Sequence, residues 1–272
     1  MAVHSPWPKV AMAALLVCLS ACATATSVGN PPANPTPSWT PPASSAPTTS
    51  ASAATTAASA AATTSASSAT QRSSKAPTPG APSTGSDGIV RSGTKSTGKF
   101  DISTLNLAPV SKGARTVRYV VRVEQGTGIK ADEAAREVHA ALNDKRGWMG
   151  TDIPQSRGVR FELVSDAKRA ELTLTIAAPP TVDKLCPLDT KGVWSCEAGE
   201  TVLINSDRWL HRTPTYTDTA VYRAYVVNHE VGHFLHLGHK PCPGKGQPAP
   251  VMMQQSKGLG GCVANAWPAT SP

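Results

Sequence analysis

No aspartate or glutamate follows Glu230 in this chain of 272 residues. Every downstream carboxylate is thereby removed as a metal ligand. Charge is also missing from residues 23–70, which contain no Asp, Glu, Lys or Arg. Such a stretch lacks the apolar surface to offset its conformational entropy and is expected to stay disordered. No C-x-x-C pair is present, which argues against a cysteine zinc site. No basic run interleaved with aromatic residues marks a nucleic-acid partner. The net charge of +8 is no exception: residues 1–99 carry six basic residues and one acidic, and the rest of the chain adds only +3.

Three segments follow from composition. Residues 1–22 read as a secretory signal, with His4 and Lys9 ahead of an apolar core, Val10 to Leu19, too short to span a bilayer. Its end, Leu19-Ser20-Ala21-Cys22, resembles a bacterial lipobox. That resemblance implies lipidation of Cys22 and a membrane-anchored lipoprotein; plain secretion, with cleavage after an A-x-A such as Ala21-Cys22-Ala23, is the alternative. Residues 23–100, dominated by Ala, Ser, Thr and Pro, are expected to form a tether that proline stiffens and that suits O-glycosylation. Residues 101–272 are enough for one domain with a core. A monomer is expected.

Cysteine usage fits export to an oxidising compartment. Apart from Cys18 and Cys22, four cysteines remain, and four allow three pairings. Cys186–Cys196 and Cys242–Cys262 are favoured, because each closes a loop bearing Pro and Gly.

The domain alternates strand and helix signals. Residues 117–124 place Val117, Tyr119, Val121 and Val123 on one face, a half-buried strand. Residues 131–145 put Ala134, Val138, Ala141 and Leu142 on one helical stripe, with Gly147 as the stop. Residues 159–164 and 170–177 alternate as strands. Residues 192–197 and 201–205 flank Ala198-Gly199 as a hairpin. Residues 219–237 predict a long helix capped by Asp218 or Thr219. Beyond His239, Pro and Gly density forbids long regular structure. The expected class is α+β: a mixed, twisted five-stranded sheet with a backing helix, an active-site helix and a small irregular C-terminal subdomain.

The long helix carries the chemistry. Four of seven histidines fall in His229-Glu230-Val231-Gly232-His233-Phe234-Leu235-His236-Leu237-Gly238-His239. His229 and His233, four apart, share one helical face and suit a zinc ion. Glu230 lies where it can take a proton from a water that the ion activates. With no later carboxylate, the third ligand is a histidine or cysteine. His239, ten residues after His229, has the H-E-x-x-H-x-x-G-x-x-H spacing. His236 competes but lies about 10 Å further along a straight helix than His229. His239 reaches the ion only if the helix stops and the chain doubles back, for which Gly238 is the expected turn.

On His229, Glu230, His233 and His239, the chain resembles the metzincin zinc endopeptidases. Pro250-Val251-Met252-Met253-Gln254 is similar to the Met-turn of that group, with Met252 and Met253 both candidates for the methionine beneath the metal. His236 stands where that pattern has glycine in a left-handed conformation, and is also a candidate to tune the metal ligands from behind. The resemblance implies an antiparallel edge strand bordering the cleft, for which residues 192–205 are the candidate. The stretch 117–268 also resembles a domain-of-unknown-function family of actinobacterial secreted and lipoprotein cell-envelope proteins. The matching residues are Gly147-Trp148, Cys186-Pro187-Leu188-Asp189-Thr190, Val227 to His233, Cys242-Pro243-Gly244 and Ala249 to Gln255. The expectation is an extracytoplasmic zinc peptidase in which Glu230 is the general base, acting on a peptide or protein substrate, with cell-wall polymer as a further candidate partner. A non-catalytic zinc-containing binding module and an amide hydrolase acting on wall peptides are the alternatives. No Tyr or Arg follows Glu230, which leaves Lys240, the hairpin backbone or Tyr216, Tyr222 and Tyr225 to support an oxyanion.

Overall fold

The computed structural model describes residues 82–272. The expected signal, the Cys22 lipidation site and most of the expected tether lie outside them. Two short strands, β1 (Ser83–Thr84) and β2 (Val90–Arg91), pair antiparallel ahead of the main sheet. That sheet has six strands rather than the five expected. Its centre is β4 (Arg115–Glu124). One edge of β4 is shared by β3 (Phe100–Ile102), antiparallel, and β5 (Val159–Leu163), parallel. The other edge carries β6 (Leu172–Ala177), then β8 (Thr201–Asn205), both parallel. β7 (Cys196–Ala198) closes the sheet as an antiparallel edge. Strand β3 escapes sequence reading because three residues are too few for a period of two to show.

The period-2 pattern of β4 explains the layers. Val117, Tyr119, Val121 and Val123 are all buried in one core with Phe161, Leu174 and Ile204. Helix α1 (Ala131–Leu142) backs that face through the stripe Ala134, Ala135, Val138, Ala141 and Leu142. It stops at Leu142, short of the expected Lys145 and Gly147. Helix α4 (Thr219–Phe234) packs beside α1 on the same core. A smaller cluster covers the opposite face, where Leu203 meets Val182, Cys186 and Cys196. Its helix, α2 (Pro179–Leu185), begins with two prolines, which are favourable at first-turn positions whose N–H groups have no helical partner. Helix α3 (Ser206–His211) is capped by Asn205 and is too short for periodicity to reveal. Among the described residues, no helix is long and apolar enough to cross a membrane.

Cys186 is bonded to Cys196, and Cys242 to Cys262. Two such bonds point to an oxidising, extracytoplasmic environment.

Residues 82–99, read as tether from composition, belong structurally to the domain. The buried Glu124 carboxylate accepts the N–H groups of Thr97, Gly98 and Ala178. Asp207, also buried, accepts from the backbone and hydroxyl of Ser92. Arg208 donates to the Val90 carbonyl. Polar anchors of this kind leave no hydrophobic pattern, so composition places the boundary too late.

Burial by itself would raise the pKa of Glu124. The hydrogen bonds from Thr181, Gly98, Thr97 and Ala178 outweigh it and hold the pKa below the ordinary glutamate value. The group therefore contributes stability above its unfolded pKa and loses it as pH falls through the lower folded one. Glu124→Ala is expected to cost roughly 2–5 kcal/mol, since it orphans buried donors. It should flatten the acid limb of the stability profile and open residues 85–99 to protease. An unchanged denaturation midpoint would refute this role for the carboxylate.

Candidate metal centre

Asp218 starts α4 by accepting the N–H groups of Ala220 and Val221. The helix then runs straight to the expected pair. His229 and His233 present their rings on one face, with centroids 4.9 Å apart. His236 ends the helix. It holds φ 63°, in the left-handed region. Its N–H donates to the His233 carbonyl at 2.7 Å, and the Leu237 N–H donates to the Gly232 carbonyl at 3.0 Å. These two bonds are the Schellman motif, with His236 in the position that usually takes glycine. Helix α4 thus stops three residues before the expected Leu237, and the turn is made by His236 rather than Gly238. The His236 side chain is exposed and lies outside the histidine cluster. Its contribution is a backbone conformation, not tuning of the metal ligands.

The reversal brings His239 back. The Nε2 atoms of His239 and His233 stand 3.1 Å apart. Ligand nitrogens of His229, His233 and His239 all lie within 4.8 Å of one another. His229 Nδ1 donates to the Val251 carbonyl at 2.8 Å, and His233 Nδ1 donates to the Leu237 carbonyl at 2.9 Å. A carbonyl only accepts, so both rings carry the proton on Nδ1 and turn the Nε2 lone pair inward. Burial also drives His229 down to about 3, with His233 and His239 pushing the same way. Neutral imidazoles converging by their lone pairs fit a metal ion. His239 too is held below its usual value, by burial first and then by His233 and Lys257.

The irregular C-terminal segment supplies one wall. Pro250 to Met253 forms a turn closed by the Met253 N–H on the Pro250 carbonyl, 2.9 Å. Its Val251 carbonyl orients His229, and its Met252 carbonyl accepts the Lys240 N–H, next to His239, at 3.1 Å. Met252 is the buried methionine of the two and packs on Gly232. A Cβ at Gly232 would stand 2.3 Å from the Met252 sulfur and 2.9 Å from the Trp148 ring. Gly232 was readable as a signal, because an interior helical glycine costs about 1 kcal/mol and calls for a packing reason. Gln255 gave none. Its buried amide joins the Pro250 and Asn265 carbonyls, the Asn265 N–H and the Tyr216 hydroxyl, and so pins the turn to the C-terminal tail.

Glu230 is buried beside the histidines, on the wall of a cleft of about 200 Å³. Burial raises its pKa to about 8, Glu197 adding to the shift and Lys257 opposing it. A cation at the three nitrogens would favour the ionised form. Edge strand β7 contributes Cys196 and Glu197 to the same cleft, so the hairpin borders the site. Trp194 lines it too, whereas Trp148 and Trp209 are packed in the core. Of the expected oxyanion candidates, Lys240 is exposed and lies outside the cleft lining. The Tyr216 and Tyr225 hydroxyls are committed to Gln255 and the Met253 carbonyl. Tyr222 lines the cleft with its hydroxyl 3.1 Å from Ser256. Lys257, absent from the sequence-based candidates, faces the cleft.

Two substitutions separate these roles. His236→Gly should keep metal binding and stabilise the fold by about 1 kcal/mol, because left-handed backbone costs an L-residue roughly that much. His239→Ala should abolish tight metal binding at similar fold stability; the opposite pattern in metal titration would reverse the ligand assignment. Gly232→Ala should destabilise by about 1–3 kcal/mol through overpacking and weaken metal affinity as Met252 shifts, read by thermal denaturation with and without metal.

Residues 87–267 match the family described as Protein of unknown function (DUF3152). No curated protein and no solved structure matches the chain. The family match covers well over half of the sequence and nearly all of the folded domain, and the protein belongs to DUF3152.

Proposed function

We propose that this domain is an extracytoplasmic zinc-dependent peptidase of the metzincin type. One observation carries the reading: three imidazoles bring ring nitrogens within 4.8 Å of one another beside a buried glutamate, in one cleft. Three histidines without a thiolate suit zinc with a position left for water or substrate, whereas structural zinc sites close all four. A purely structural site has no need of a carboxylate at Glu230.

Zinc, when bound, supplies Lewis acidity that activates water and polarises a carbonyl. His229, His233 and His239 would hold it, the first two oriented by the Val251 and Leu237 carbonyls. Glu230 accepts a proton as the water oxygen bonds to the peptide carbonyl carbon. It returns the proton to the amide nitrogen as the C–N bond breaks. Burial in the cleft beside the histidines holds Glu230 where one carboxylate can take the proton and then return it. Strand β7 offers a free edge on which an extended peptide can add as a further strand. Met252 takes the role of the methionine beneath the metal site, and the Cys242–Cys262 bond braces the loop that contains it. Lipidation at Cys22 and the residues that follow would hold the domain at the outer face of the membrane, within reach of proteins and wall peptides.

The decisive comparison is wild type against Glu230→Gln, both loaded with zinc, on a mixed library of peptides and wall-derived peptides. Wild type should cleave, and the variant should keep zinc at unit stoichiometry while losing at least about 10²-fold in rate. Stoichiometric zinc with no Glu230-dependent cleavage would sink the peptidase reading and favour a non-catalytic binding module. Cleavage confined to wall peptides would identify an amide hydrolase of the envelope.

A further inference from the structure

Lys257 is the cation in the cleft that none of these roles uses. It ends the 3-10 turn Gln255–Lys257, whose first residue is the buried amide that anchors the C-terminal segment. The base of the lysine is therefore held by the same hub that holds the metal-site turn. Its ammonium lies 5.7 Å from the Trp194 ring centroid, within cation–π range. Trp194 belongs to the Cys186–Cys196 loop, so the two segments that flank α4 touch through this pair. Among the described residues, the Lys257 ammonium forms no ion pair with a carboxylate and no hydrogen bond to a protein acceptor. The other charged side chains lining the cleft, Asp189, Glu197 and Glu230, are acidic, yet none of them pairs with it. An unpaired cation near the reacting centre, held on an aromatic face, suits an anionic group of the substrate.

We infer that Lys257 selects the substrate of this cleft, and that the substrate is a peptide carrying a carboxylate close to the bond presented to the metal site. The inference deepens the peptidase reading and rests on it for the words substrate and bond. Binding of the carboxylate needs only the cleft. Lys257 lines the same cleft as the three histidines and Glu230, so the recognised charge lies near the centre. Leu188, Trp194, Tyr222 and Val226 offer an apolar wall for the adjoining side chain. Asp189 and Glu197 on the same lining repel a carboxylate, which leaves Lys257 as the charged side chain of the cleft that attracts one. The carboxylate has two sources, a free C-terminus or an acidic side chain, with the same chemistry toward an ammonium.

The test is calorimetric binding to the full chain in the Glu230→Gln background, with zinc loaded and with zinc removed. Three probes separate the sources: acetyl-Ala-Leu-Ala with a free carboxyl end, the same peptide amidated, and amidated acetyl-Ala-Leu-Asp. At least one carboxylate peptide should bind about threefold to tenfold tighter than the neutral one, an advantage that added salt erodes. That preference should vanish in Lys257→Met, survive in Lys257→Arg and persist without zinc. Equal binding of all three probes overturns the inference. So does a preference that survives Lys257→Met, which would mean that the metal or another group holds the carboxylate. A Lys257-dependent preference in a protein whose wild type cleaves nothing would leave carboxylate recognition standing and remove the peptidase reading alone.

Discussion

The hydrogen bond from His229 Nδ1 to the Val251 carbonyl ties the histidine-bearing helix to the segment beneath it, and much of the site depends on that tie. It fixes the tautomer of His229 and aims Nε2 at the other two histidines. The same turn holds the chain beside His239 through Lys240 and buries Met252 against Gly232. Helix and turn therefore define the metal-site geometry jointly. Neither could shift by an ångström without moving a ligand. The turn is in turn held from behind by Gln255 and Asn265, whose buried amides replace the regular hydrogen bonding that a Pro/Gly-rich segment cannot supply.

The rest of the fold positions α4. Its inner face packs on the β4-centred sheet beside α1, while β7 runs along the cleft with the Cys186–Cys196 bond at its start. The cleft consequently has a helical floor, one wall from the sheet edge and one from the C-terminal turn. Each wall carries a disulfide-bonded loop, which limits how far either can move. The site is rigid where ligands are held and polar where a substrate would lie.

Local patterns made much of this legible. Alternation in 117–124, the alanine-rich stripe of α1 and the histidine spacing in α4 are short-range signals, and the elements they imply are present. The ligand-bearing histidines converge because a four-residue step returns to the same helical face. The segment 82–99 was not legible. It is held by Glu124, Asp207 and Arg208, single buried charges that lie far from it in sequence, and its own residues resemble the tether before it. Strand β3 and helix α3 were too short to show a period. The glycine-like role of His236 was visible as a departure from pattern, but which residue makes the turn was not.

The sequence by itself determined the longer elements, the shared helical face of His229 and His233, the place of Glu230 and the elimination of any later carboxylate, because these depend on residue type and on spacing within a few turns. Tertiary structure decided that His236 turns the chain through its backbone, that Met252 rather than Met253 is the buried methionine, and that Lys257 faces the cleft. Those outcomes depend on which segments meet across tens of residues. Such contacts are set by packing and by the pairing of buried polar groups, and no local periodicity encodes them.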